Sequence, residues 1–115
     1  MILYHNPNCS KSRNCLILLN KIGIKFEIRN YLKTPLTKKE IYLIIMKLKG
    51  SCISELIRNV KLEFDPIQNK EKLIDFLFKN PNHLQRPIFF NKKNYFICRP
   101  PEKVFLVEGV GFEPT

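Results

Sequence analysis

No stretch of the chain approaches the roughly 20 consecutive apolar residues of a membrane-spanning helix. The longest apolar runs, Cys15 to Leu19 and Ile41 to Met46, read as helix faces. No membrane association is expected. The opening Met1-Ile2-Leu3-Tyr4-His5 carries neither a basic leader nor a small-residue cleavage site, so no signal peptide is read and the expected location is cytoplasmic. Cysteine is sparse: Cys9, Cys15, Cys52 and Cys98 stand at long, uneven gaps, which excludes a zinc framework, and no metal site is expected. Without a leader, structural disulfides are not expected either, and the thiols are read as reduced. Alanine and tryptophan are missing altogether. Arginine is scarce, five residues against 15 lysines. Where arginine does occur, its forked guanidinium is the property to look for, beyond its charge.

What is present bounds the fold. The chain has 115 residues, enough for one domain and not for two. A chain of this size buries roughly two-thirds of the surface it exposes when unfolded, so it can hold a core without metals or disulfides. A composition of 44% hydrophobic and 26% charged residues is not that of a disordered segment. The formal net charge of +10 raises the question of nucleic acid. The lysines are scattered, with no run of five, and abundant Lys, Asn, Ile and Phe suit a compositional drift that makes lysine the default cation. The charge is read as a solvated basic surface, and a nucleic-acid partner is not expected.

Along the chain, Ile2-Leu3-Tyr4 reads as a short buried strand closed by Asn6-Pro7-Asn8. Helical spacing begins near Ser10, with Leu16, Leu19 and Ile22 apolar and Gly23 as the stop. Lys25 to Tyr31 alternates, with Phe26 and Ile28 toward the core and Lys25, Glu27 and Arg29 toward water. Strand, helix and strand imply a right-handed βαβ unit. Thr34-Pro35 breaks the chain, and Thr37-Lys38-Lys39-Glu40 is a capping box. It opens a helix with Ile41, Ile44, Ile45 and Leu48 inward, ending at Gly50. A short amphipathic helix is expected around Ser54 to Arg58, and a turn at Asp65-Pro66. A helix from Lys70 to Lys79 carries Leu73, Ile74, Leu77 and Phe78 at helical spacing. Pro87 to Phe90 and Tyr95 to Cys98 flank Asn91-Lys92-Lys93-Asn94 as a β-hairpin. Pro100-Pro101-Glu102 opens a last helix, packed by Val104, Phe105 and Val107. One domain is placed at 1–108 and a frayed tail at 109–115. The order β-α-β, helical insertion, β-β-α matches an α/β, thioredoxin-like fold with a mixed four-stranded sheet.

Cys9 is the candidate nucleophile. It lies between a strand end and a helix start, where unpaired N–H groups and the positive helix end stabilise a thiolate. Cysteines at such positions titrate at about 3.5–7.5 in place of about 8.5. The same N–H groups can cradle a tetrahedral oxyanion. Cys9-Ser10-Lys11-Ser12 is C-x-x-S, so no second thiol lies one turn away; Ser12 can hydrogen-bond the thiolate but cannot resolve a mixed disulfide. Cys15 and Cys98 read as packing residues, Cys52 has no context, and His83 reads as loop. His5, four residues before Cys9, is either a histidine that favours the thiolate when protonated or one bonded to backbone. Arg58, Arg86 and Arg99 each end an expected element, and the last two precede proline, which holds their backbones extended. If they converge, they suit paired binding of an anion's oxygens. Spacing alone leaves that convergence open.

Together these residues resemble the arsenate reductase family that works with glutathione and glutaredoxin. The matching pieces are His5-Asn6-Pro7-x-Cys9-x-x-Ser12-Arg13-Asn14, Tyr31-Leu32-Lys33-Thr34-Pro35, Arg58-Asn59, Leu73-Ile74-Asp75-Phe76, Arg86-Pro87-Ile88 and Arg99-Pro100-x-Glu102, in the family's order over roughly residues 2 to 107. The Cys-Ser-Lys-Ser-Arg loop is similar to a chromosomal subgroup, not to the resistance-operon enzymes. The resemblance implies that Cys9 attacks arsenate, that Arg58, Arg86 and Arg99 bind the oxyanion, and that His5 influences the thiolate. It implies a cis proline at Pro87, phosphate as a competitor, glutathione as co-substrate, glutaredoxin as partner, and no bound cofactor. Two other functions fit the same chain. One is another glutathione-linked thiol–disulfide exchange at Cys9, which would not need all three arginines. The other is a non-enzymatic regulator like the Spx proteins, which contact RNA polymerase and typically carry C-x-x-C where this chain has Ser12.

Overall fold

Four short strands form one sheet in which the first lies between the second and the third, and the fourth is the far edge. In the computed structural model, which describes residues 1–110, β1 (Ile2–His5) runs parallel to β2 (Glu27–Asn30) and antiparallel to β3 (Ile88–Phe90). β4 (Tyr95–Ile97) closes the hairpin with β3. Successive strand side chains point to opposite faces, and this divides the interior in two. Leu3 and Phe89, paired in register, pack with Cys98 under Cys15 and Leu19 of α1 (Ser10–Ile22) and Val104 of a 3-10 turn, Pro101–Leu106. Tyr4, Ile88, Tyr95 and Ile97 face the other way, under α2 (Lys38–Met46) and α3 (Lys70–Lys79), which contribute Ile41, Ile44, Ile45, Leu73 and Leu77. Each fully buried Leu or Ile contributes about 1.5–3 kcal/mol, so both faces need their helices.

Local chemistry sets the element ends. Gly23 takes the left-handed φ of +79° that closes α1, and its N–H donates to the Leu19 and Asn20 carbonyls. At the start of α2 the Thr37 hydroxyl accepts from the Glu40 N–H at 3.1 Å, while the Glu40 carboxylate accepts from the Thr37 N–H at 2.9 Å. The same carboxylate takes both prongs of the Arg29 guanidinium, at 2.9 and 3.0 Å, and Arg29 also donates to the Thr34 and Pro35 carbonyls. The end of β2, the Thr34-Pro35 turn and the start of α2 are thus one tied unit. Tyr31 sits inside it, 1% exposed.

Several elements differ from expectation. Ile28 is 53% exposed, because β2 is the sheet edge and its flank is left open. Leu48 is outside α2; the backbone from Lys47 to Lys49 hydrogen-bonds Tyr95 and extends the sheet past β4, which ends the helix at Met46. The helix expected around Ser54 to Arg58 is a 3-10 turn at Ile53–Leu56, and Ile57 leaves it to bridge Leu84. Phe78 is exposed, with the Lys38 ammonium 5.3 Å above its ring. The last helix is 3-10 and not α, and Phe105 faces outward from it. The tail was expected from Gly109, yet Val110 is buried beside α1. The rest of that expected tail, residues 111–115, lies outside the described residues. Among the described residues no helix is long and apolar enough to cross a membrane.

Candidate active site

The parallel pair β1 and β2 ends with His5 beside Asn30. From there the chain passes through Asn6-Pro7-Asn8 into α1, and Cys9 is the N-cap, with extended φ −102° and ψ 122°. Side chain and backbone both shape this loop. The Asn8 N–H donates to Asn6 Oδ1 at 2.9 Å, the Cys9 N–H to the Asn6 carbonyl at 3.0 Å, and Arg13 reaches back to the Pro7 carbonyl at 2.9 Å. Cys9 is 8% exposed.

Opposing influences set its acidity. Burial pushes the thiol pKa up. The Ser12 backbone N–H, the Arg86 and Arg99 guanidinium groups and the Lys11 backbone N–H pull it down, and the balance lowers it to about 7. Arg99 Nη1 stands 3.7 Å from the sulfur. A substantial share of Cys9 is therefore thiolate at neutral pH, and the thiolate is the nucleophile.

All three arginines come together here, which spacing alone had left open. Ile57 and Leu84 form an antiparallel bridge. Around it the Arg58 N–H donates to the His83 carbonyl at 2.9 Å, and the Gln85 N–H donates to the Leu56 carbonyl at 2.7 Å. His83 Nδ1 donates to the Arg58 carbonyl at 2.9 Å, and its ring stacks on Phe76. Two distant loops are thereby clipped together, one carrying Arg58 and the other Arg86. Arg86 donates to the Asn82 carbonyl, and Arg99 to the Arg86 carbonyl, each at 3.0 Å. The Arg86-Pro87 peptide is cis; so is Arg99-Pro100, which the sequence reading did not foresee. Burial, then the nearby charges of Arg86 and Arg99, lowers the Arg58 pKa. The Nε atoms of Arg58 and Arg86 are buried and have no hydrogen-bond partner. Arg86 and Arg99 act directly on the Cys9 sulfur and Arg58 lies within reach of the charges of all three, so the site gathers positive charge and unused donors that suit an oxyanion.

Ser12 and His5 are at the site, in roles other than those expected. The Ser12 hydroxyl lies 2.6 Å from His5 Nδ1 and accepts the Asn6 N–H at 3.1 Å. It is the Ser12 backbone N–H, not the hydroxyl, that acts on the sulfur. Burial, then the Arg13 charge, lowers the His5 pKa, which favours the neutral ring.

Sequence reasoning missed three site residues. His83, plain loop by its sequence, holds the Arg58 backbone. Asn6, a strand terminator by its sequence, builds the Cys9 loop. Tyr31 was read as a strand end, but Arg86, Asn6, Cys9 and Arg58 all act on its hydroxyl, which is buried without a partner. Tyr31 opens one of the segments that carry the family resemblance, but its place beside Asn6 follows from the pairing of His5 with Asn30, which exists only once the sheet forms. Of the other thiols, Cys15 and Cys98 are fully buried; contact with the Cys15 thiol, then burial, pushes Cys98 up. Cys52 is exposed. Among the described residues no group of three or more His, Cys, Asp or Glu side chains is arranged to hold a metal ion.

Residues 4–105 match the model of the ArsC family. This chain belongs to the ArsC family. Among its ArsC relatives, the uncharacterized protein YfgD of Escherichia coli strain K12 is 34% identical over 113 residues, covering 93% of this chain and 95% of YfgD. The arsenate reductase of the same strain is 35% identical over 107 residues, covering 89% of this chain and 76% of the enzyme. An arsenate reductase from Vibrio cholerae superposes with a TM-score of 0.77 at 29% identity, over 92% of this chain and 95% of that one. The thioredoxin-like α/β architecture is thus that of solved ArsC structures.

Proposed function

We propose that this protein reduces arsenate to arsenite, with the Cys9 thiolate as nucleophile and glutathione and glutaredoxin supplying the electrons. The observation that carries the reading is the ring of arginines around an acidic thiol. Arg99 stands 3.7 Å from the Cys9 sulfur, and Arg58 and Arg86 keep buried, unpartnered Nε atoms. A tetrahedral dianion offers oxygens that suit forked donors. A neutral disulfide would use the thiolate and leave three arginines without a purpose. The reductase names among the relatives supply the arsenic.

The steps balance as follows. Hydrogen arsenate dianion binds at the start of α1 among Arg58, Arg86 and Arg99. The Cys9 sulfur bonds to arsenic, and one oxygen takes up two protons and leaves as water, giving a thiol–arsenate monoanion. The arginines offset the charge that gathers on the remaining oxygens. Glutathione's sulfur then bonds to arsenic with loss of a second water. The glutaredoxin thiolate attacks that glutathione sulfur, and the electron pair of the sulfur–arsenic bond stays on arsenic. Arsenic(V) becomes arsenic(III), and the two thiols leave as a mixed disulfide. Water displaces arsenite and returns Cys9 as the thiol. With serine at position 12 the second thiol comes from solution, which suits this order. Glutathione is a co-substrate, and no bound cofactor takes part. Phosphate, of the same shape and charge, competes.

The test is arsenate-dependent NADPH oxidation coupled through glutathione, glutathione reductase and glutaredoxin, with Cys9→Ser and Arg58→Lys beside the parent protein. Turnover by the parent and its loss in both variants is the expected result. No turnover by the parent overturns the proposal.

A further inference from the structure

We propose that the Tyr31 hydroxyl is a fourth hydrogen-bond donor to the bound oxyanion, and so a substrate-binding residue of this site. The inference rests on the oxyanion reading above and names a contact beyond the three arginines. It begins from the sheet register. His5 and Asn30 are partners at the ends of β1 and β2, so the next residues, Asn6 and Tyr31, leave the two strands at the same level. Asn6 leads into the Cys9 loop. Tyr31 is brought to the same place from the other strand.

The phenol is 1% exposed and its hydroxyl has no hydrogen-bond partner. Buried tyrosine hydroxyls normally have one, because leaving such a group unmet is costly. The groups acting on it are those of the site: Arg86, Asn6, Cys9 and Arg58. Asn6 acts on the phenol in the sense of a donor to its oxygen, the role open to its amide nitrogen, while Oδ1 accepts the Asn8 N–H. In that arrangement the phenol's own O–H is left for another acceptor. Burial keeps that proton on the oxygen at neutral pH. The ring does not drift, because the segment after it is tied to α2 through Arg29 and Glu40.

The unpartnered donors at this end of the sheet are therefore three, the Nε atoms of Arg58 and Arg86 and the Tyr31 hydroxyl. A neutral O–H adds a directional bond to an oxyanion without adding a fourth positive charge to a site that already holds three.

Protection of Cys9 from iodoacetamide tests the assignment. Inorganic phosphate and arsenate are the probes, and the mass of the Cys9 peptide is the readout. In Tyr31→Phe the phosphate concentration giving half-protection is expected to rise about tenfold or more, as for a lost hydrogen bond to a charged group. Protection in each protein is referred to its own alkylation rate and pH profile without phosphate. The melting temperature should change little, since the O–H meets no acceptor within the fold. Equal protection in the parent and Tyr31→Phe overturns the assignment, and so does loss of a cooperative melt in the variant. If neither anion protects the parent protein, the oxyanion site and Tyr31 fall together. Weakened protection in Tyr31→Phe with no arsenate-dependent turnover in the parent upholds Tyr31 and removes only the arsenate reduction.

Discussion

The Ser12 hydroxyl lies 2.6 Å from His5 Nδ1 and also accepts the Asn6 backbone N–H, so both of its polar contacts are spent on the loop and none on the Cys9 sulfur. In the tautomer with its proton on Nε2, His5 accepts the hydroxyl's hydrogen at Nδ1 while the hydroxyl's lone pair takes the Asn6 N–H. The pair is a brace that holds the exit of β1 against α1. Ser12→Ala leaves a buried backbone donor and a ring nitrogen unmet. Urea unfolding should show a loss of about 1–3 kcal/mol. The Cys9 titration should stay near 7, because the Ser12 backbone N–H is retained.

Cys9 itself is read by the pH dependence of its alkylation. The thiolate reacts and the thiol does not, so the rate should climb with pH to a plateau, with its midpoint at about 7. Arg99→Ala removes the cation 3.7 Å from the sulfur. Its midpoint should move up by about one unit or more. The sign for stability follows. The folded pKa of Cys9 is lower than that of an unfolded thiol, so the thiolate stabilises the fold at alkaline pH, and this contribution is lost as pH falls through about 7. The parent should gain stability over Cys9→Ser on going from pH 6 to pH 9.

His83 holds the Arg58 carbonyl at 2.9 Å, and under the proposed function it positions Arg58 for the anion. His83→Ala should raise the phosphate concentration for half-protection of Cys9 about three- to tenfold, a cost of order 1 kcal/mol for one hydrogen bond. His83→Asn, whose Nδ2 can stand where Nδ1 stood, should restore most of it. A purely structural loss would lower the melting temperature of both variants without that rescue.

Arg29 and Glu40 meet through two parallel bonds of 2.9 and 3.0 Å, and both side chains are about one-quarter exposed. Bidentate geometry places this pair above the usual surface ion pair. A double-mutant cycle of Arg29→Ala and Glu40→Ala, followed by urea unfolding, should give a coupling of about 1 kcal/mol. Lys38 and Asp75, also 2.9 Å apart but more than half exposed, should couple by less.

Much of the scaffold was written locally. The capping box at Thr37, the glycine stop of α1 and the Asn91–Asn94 hairpin loop depend on near neighbours, and each stands where the pattern put it. Cys9 as the residue before α1 was legible for the same reason. The errors cluster where a distant segment competes. Leu48 had helical spacing but left the helix to meet Tyr95, and Arg58 left its short helix to meet the His83 loop.

The sequence by itself therefore determined the order of elements and singled out the candidate nucleophile and the three candidate arginines, because strand alternation, caps and a forked side chain are properties of a few adjacent residues. Only the tertiary structure decided that Arg58, Arg86 and Arg99 gather near Cys9, that the Ser12 hydroxyl meets His5, and that Tyr31 ends beside Asn6 with its O–H unmet. Those facts depend on strand register and on one bridge between Ile57 and Leu84. Both are long-range hydrogen-bond choices, made when burial of the two hydrophobic faces forces the backbone to satisfy its donors within the sheet.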